Sequence, residues 1–327
     1  MPPLGRYRIT RTPFVPSNES FVVLESQVER LVNRRDVQLR RYGHWSSEIY
    51  GMGILYRSLL RWPMWRKLPF TSEHGIPFGT SSVKYALEGW SRKSARRLHV
   101  TWSEDVAVVC RNAGLDVVQI PHPWSVSWRA AGWKPEARWS GPLLVVPHSL
   151  PSVQFASGAA YWEDFLSAIP SDLFPSAALI SSHDVGSQAE MTFRRWRIPM
   201  YCVGRPTGDL FFHRFYNAIR QFPLLIGPNV SSASFYAEDF GIPFLLVGQE
   251  VKFDYGSYRE TLGDWSQQLH DRLEFRNRAQ EYFSRELPRR SSQEVELQSF
   301  VSSELGLSRL DFDFRIFGKQ LQESFRF

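Results

Sequence analysis

Between Leu143 and Glu250 the chain repeats one pattern: an apolar run, a short polar loop, then a stretch with helical periodicity. Runs such as Leu143 to Val146 and Phe244 to Gly248 are too short for helices. They are also too uniformly apolar for half-exposed strands, so they fit strands covered on both faces. The spacing predicts strands at 143–147, 177–180, 200–203, 224–226 and 243–247, with helices at 159–169, 187–196, 209–221 and 232–240 between them. Strands alternating with helices imply right-handed crossovers and a doubly wound parallel sheet. In such a sheet a ligand lies outside the carboxyl ends of the strands, which restricts the candidates to residues just after each strand.

A length of 327 residues suggests two domains, and 43% apolar with 15% aromatic content is enough to fill their cores. The two cysteines, Cys110 and Cys202, sit in apolar runs and read as reduced core thiols. No run approaches the roughly 18 to 20 apolar residues that span a bilayer, and the first residues lack the apolar core of a secretory signal, so a cytoplasmic location is expected. The net charge of +6 is modest, yet basic residues crowd the first hundred positions, Arg57, Arg61, Arg66 and Lys67 among them. An anionic partner or surface is expected on that side, with no nucleic acid implied. Tyr56 to Phe70 mixes Trp, Leu and basic residues as a peripheral segment at a lipid headgroup interface would. Alternatively, it is a loop whose tryptophans pack in the core.

Ahead of the repeating block, a first α/β unit is expected over residues 1–140, with a strand at 99–102, a helix at 104–113 capped by Ser103 and stopped by Gly114, and a strand at 116–120. Within it, residues 20–41 read as a strand and a charged helix, and 123–142 as a connector without periodicity. The second unit runs over 141–257, and 258–327 reads as a helical segment that braces the two.

The residues after the predicted strands are polar: His148 and Ser149; Ser181, Ser182, His183 and Asp184; Gly204 and Arg205; Asn229, Ser231, Ser232 and Ser234. The serines open a helix, where unpaired N–H groups and the helix dipole attract phosphate, although one serine could simply cap that helix. His148 and His183 suit donation to a phosphate oxygen or to a leaving group. Arg205 and Arg214 suit an oxyanion, and Glu238, two turns into the helix, faces either a sugar hydroxyl or solvent. In the first unit Ser72-Glu73-His74-Gly75 places a carboxylate beside an imidazole, and either Glu73 or His74 could act as base on an acceptor hydroxyl. There is no GxGxxG, Walker loop or GxSxG elbow, and no metal-ligand spacing, so neither a metal nor a dinucleotide cofactor is expected.

The segments Val145-Val146-Pro147-His148-Ser149, Ser181-Ser182-His183-Asp184, Met200 to Arg214 and Gly227 to Glu238 resemble the C-terminal half of bacterial surface-polysaccharide glycosyltransferases of GT-B architecture. Similar features occur in sialyltransferase-like enzymes, although Pro147-His148-Ser149 lacks the proline that follows the histidine there. The resemblance implies an α/β, GT-B-like fold, with two Rossmann-like domains about a central cleft and a helical C-terminal tail. It also implies a nucleotide-sugar donor held by His148, Ser231, Ser232 and Ser234, and a glycan or lipid-linked acceptor in the first domain. The rival expectations are a pyruvyl or other polysaccharide-modifying transferase on the same scaffold and a non-catalytic assembly protein.

Overall fold

The computed structural model describes residues 45–63, 65–73, 75–76, 98–147, 154–155, 159–206, 208, 210–251, 253–254, 273–284, 287–289 and 291–324. The predicted elements over 20–41 lie outside them, as do His74, His148 and Ser149. In chain order the first elements are helices α1 (Trp45–Glu48) and α2 (Met52–Leu60), strands β1 (Thr71–Ser72) and β2 (Leu98–Thr101), helix α3 (Glu104–Asn112), strand β3 (Asp116–Gln119) and helix α4 (Pro123–Ala130). There follow β4 (Leu143–Val145), β5 (Gln154–Phe155), α5 (Ala159–Ala168), β6 (Ala177–Ile180), α6 (Gln188–Arg195), β7 (Met200–Cys202), α7 (Phe211–Ile219), β8 (Leu225–Gly227), α8 (Ser232–Asp239), β9 (Phe244–Leu246) and β10 (Phe253–Asp254). Helices α9 (Leu273–Phe283), α10 (Ser291–Glu304) and α11 (Phe314–Ser324) complete the described chain.

The fold class is α/β with parallel sheets. The first sheet has three strands in the order β1-β2-β3, with both pairings parallel. The second has five in the order β7-β6-β4-β8-β9, all parallel, so the strand order reverses between β4 and β8. Successive side chains of a strand point to opposite faces, and here both faces are covered. Leu143, Leu179, Tyr201 and Leu225 enter one apolar cluster, whereas Leu144, Ile180, Cys202 and Ile226 enter another with Trp162 and Phe165 of α5 and Phe193 of α6. The first of these clusters is shared, extending from Val100 and Trp102 beside the first sheet through Trp124 of α4, Phe212 of α7 and Phe235 of α8 to Phe275, Phe300 and Phe317 of the C-terminal helices. β5 and β10 pair separately as a short antiparallel ribbon.

The structure corrects three readings. The supposed connector holds α4, whose Pro123 sits at the first helical turn, where proline forfeits no helical bond. Its buried face includes Ser125 and Ser127, which hides the apolar stripe from sequence. Ser103 flanks α3, but its hydroxyl donates to Glu304 Oε2 at 3.4 Å and makes no capping bond. Arg57, counted with the basic surface, is fully buried in a bidentate pair with Glu48, at 2.7 and 2.5 Å. Burial raises the Glu48 carboxyl above its ordinary value even with that guanidinium beside it. Cys110 and Cys202 are both buried thiols, pushed up by burial to about 12 and about 11. Among the described residues no helix is long and apolar enough to cross a membrane.

Candidate functional site at the facing strand ends

The strand order reverses between β4 and β8, and at such a reversal an open parallel sheet holds its ligand beyond the carboxyl ends of the strands. β8 runs into Pro228-Asn229-Val230-Ser231, and α8 starts at Ser232. The Ser231 N–H donates to Ser234 Oγ at 3.1 Å and the Ser234 N–H to the Ser231 carbonyl at 3.0 Å, so Ser231 is the N-cap and the fully buried Ser234 closes a capping box with it. Ser231 and Ser232 remain partly exposed at its head. Asn229 is spent on scaffolding: its Oδ1 accepts from the Val251 N–H at 3.1 Å, and its amide donates to Glu250 Oε1 at 3.1 Å, joining the loops after β8 and β9.

The loop after β1 meets this helix. Ser232 Oγ accepts from the Ile76 N–H at 2.8 Å, across 156 positions of sequence. Gly75 makes that approach possible, because a Cβ there would lie 2.7 Å from the same oxygen. Glu73, 4% exposed, leaves the carboxyl end of β1 and stands close enough to raise the phenols of Tyr56 and Tyr236. Burial is the main cause that raises all three neighbouring phenols, Tyr50, Tyr56 and Tyr236, above their ordinary value, Tyr50 to about 12. The Tyr236 hydroxyl lies beside Ser232, one helical turn ahead of it. A third strand end of the first sheet contributes His122, which sequence reasoning overlooked. It is fully buried between Trp102 and Tyr236, with ring centroids 4.5 and 4.9 Å away, and neither ring nitrogen has a hydrogen-bond partner. Burial drives its pKa down to about 3.

The loops after β6 and β7 supply the remaining candidates. His183 is exposed, with its backbone N–H on Ser181 Oγ at 3.2 Å, while Asp184 is buried. Gly204 adopts φ +88°, turning the chain so that Arg205 is exposed. The Pro206 carbonyl accepts from the Tyr50 N–H at 2.5 Å, a second tie to the first unit. Two candidates are buried in contacts with the protein itself. Arg214 is buried, with Nη1 3.4 Å from the Val203 carbonyl. Glu238 is buried and does not face solvent: its carboxylate accepts from the Phe244 N–H and from Arg289, both at 2.8 Å, and burial raises its pKa. A second overlooked group, Asp239, takes Ser125 at 2.7 Å and Arg129 at 2.6 Å and ties α8 to α4. The available signal was an acid in the last turn of a helix, where the dipole disfavours it and a cation must be near.

Comparison with protein-family models, curated proteins and solved structures finds no match to this chain.

Proposed function

We propose that this chain is a metal-independent glycosyltransferase of GT-B type, moving a sugar from a nucleotide-sugar donor to a surface-polysaccharide or lipid-linked acceptor at the cytoplasmic membrane face. The observation that carries this reading is the Ile76 to Ser232 hydrogen bond. It sets the head of α8 against the loop that bears Glu73, so the loops that follow β1 and β8 meet.

In this reading the donor's phosphates lie beyond the carboxyl ends of β4 and β8 against the first turn of α8, where backbone N–H groups and the helix dipole oppose the charge of the leaving group. The Ser232 oxygen accepts from Ile76, which leaves its O–H to donate to a phosphate. His183 and Arg205, at neighbouring strand ends, would approach the same anion. His148 keeps the donor-binding role that the resemblance implies, Ser149 is the strand-end candidate beside it, and His74 is the alternative base. In an inverting transfer the Glu73 carboxylate takes the proton of the acceptor hydroxyl as that oxygen bonds the anomeric carbon. The bond from that carbon to the donor phosphate breaks, and the nucleotide departs with the electron pair.

The direct test is release of free nucleotide from a panel of CMP- and UDP-sugars. Wild-type protein should release nucleotide, and Glu73→Gln should lose on the order of a hundredfold or more in rate. A Glu73→Gln protein as active as wild type would remove Glu73 from the chemistry, and a chain inert toward every nucleotide-sugar would overturn the proposal.

A further inference from the structure

Each tryptophan whose side chain is described is buried or half-buried except one, Trp65, which is 65% exposed. That exposure is built, because the turn carrying it is fastened at both ends. α2 stops at Arg61, whose φ of +56° is left-handed, and the Trp62 N–H returns to the Arg57 carbonyl at 2.7 Å. Trp62 is itself 1% exposed and sits under α11, where Gly318 brings the helix so close that a Cβ would lie 2.9 Å from the Leu60 carbonyl and 3.3 Å from the Trp62 indole nitrogen. Beyond Trp65, the Arg66 N–H donates to the Pro63 carbonyl at 3.0 Å and the Arg66 carbonyl accepts from Arg57 Nε at 2.8 Å. The Arg66 guanidinium lies 4.5 Å over the Trp62 ring, and Leu68 and Phe70 are buried. A buried ion pair, a buried indole and a helix therefore hold one indole out in water.

The segment itself carries one sign of charge. Arg61 and Lys67 are exposed on either side, and no Asp or Glu occurs between Glu48 and Glu73. We propose that the 61–69 turn is a docking surface for an anionic lipid headgroup layer, with the Trp65 indole seated at the interface and Arg61 and Lys67 on lipid phosphates. An indole has an apolar body and one N–H, which suits that boundary, and each cation near an anionic leaflet adds attraction. A single-stranded nucleic acid would call for a row of stacking rings, and among the described residues no Phe, Tyr or second Trp side chain is exposed. The turn enters β1 from its amino end, while Glu73 leaves from the carboxyl end, so lipid contact and the strand-end residues lie at opposite ends of β1.

The test is co-sedimentation of the full chain with vesicles of phosphatidylcholine alone or mixed with phosphatidylglycerol. Binding should need phosphatidylglycerol and weaken as salt rises. Arg61→Gln with Lys67→Gln should lower the partition coefficient by about thirtyfold, and Trp65→Ala should lower it at any phosphatidylglycerol content. Unchanged melting temperatures would confirm that both variants fold, as exposed positions predict. The proposal is overturned if wild type ignores anionic vesicles, if either folded variant binds them as wild type does, or if a single-stranded oligonucleotide displaces the vesicles at matched charge.

Discussion

His122 stays neutral in the folded chain because Trp102, Tyr236 and Phe212 surround it and offer its ring no hydrogen bond. Its pKa of about 3 lies below the unfolded value of about 6.5, so the unfolded chain binds the proton first. The associated stability is fully present above about pH 6.5 and is lost as pH falls toward 3, by up to about 1.4 kcal/mol per pH unit. His213, held at about 4 mainly by burial, acts in the same direction. His122→Phe fits the aromatic surround and loses no side-chain cap, so its unfolding free energy should fall less steeply between pH 6.5 and 4. A slope equal to wild type would show that His122 is not the group that titrates. Gly75 is the second residue whose role can be isolated. Gly75→Ala drives a methyl against Ser232 Oγ and should cost about 1–3 kcal/mol in urea unfolding as the Ile76 N–H loses its acceptor. The strand-end positions of Ser232, His183 and Arg205 were legible in sequence. His122 was not, since a histidine after Pro121 looks like any turn residue until α7 and α8 are packed onto it.

At the scale of elements, the Glu48–Arg57 pair joins α1 to α2 and supplies the donor that fastens the 61–69 turn. Glu48→Ala leaves a fully buried guanidinium uncompensated and should cost about 3–5 kcal/mol by chemical denaturation, whereas Glu48→Leu with Arg57→Met should come close to wild type. An additive loss in the double variant would refute that account. Strand and helix positions in the second sheet follow from sequence because its strands are uniformly apolar and each helix is bounded by Gly, Ser or Pro. For example, 187–196 is expected and Gln188–Arg195 is found. α4 escaped because two of its buried positions are serines, one bonded to Asp239 and the other to its own Pro123 carbonyl. Asp239 and Glu238 were equally hidden. Their partners, Arg129 and Arg289, lie 110 and 51 positions away and meet them only after packing.

Over the whole molecule, the two sheets and the C-terminal helices share one apolar core. Phe235 of α8 packs on Phe275, Phe283 and Phe300, while Arg289 reaches back to Glu238 and to the Phe244 carbonyl. The tail therefore braces α8, the helix whose head is proposed to hold phosphate. Its helical character was evident from pattern, but its partners were not, because a pattern gives a buried face without saying what covers it. The most direct test of the central claim is a thermal-shift panel of CMP, UDP, their sugars and phosphoenolpyruvate against the full chain and Ser232→Ala. A ligand at a hundredfold over its Kd stabilises the native state by about 2.7 kcal/mol. A nucleotide or nucleotide-sugar should raise the melting temperature of wild type, raise that of Ser232→Ala less, and phosphoenolpyruvate should leave both unmoved. Stabilisation by phosphoenolpyruvate alone, or an equal nucleotide shift in both proteins, would contradict the proposed site.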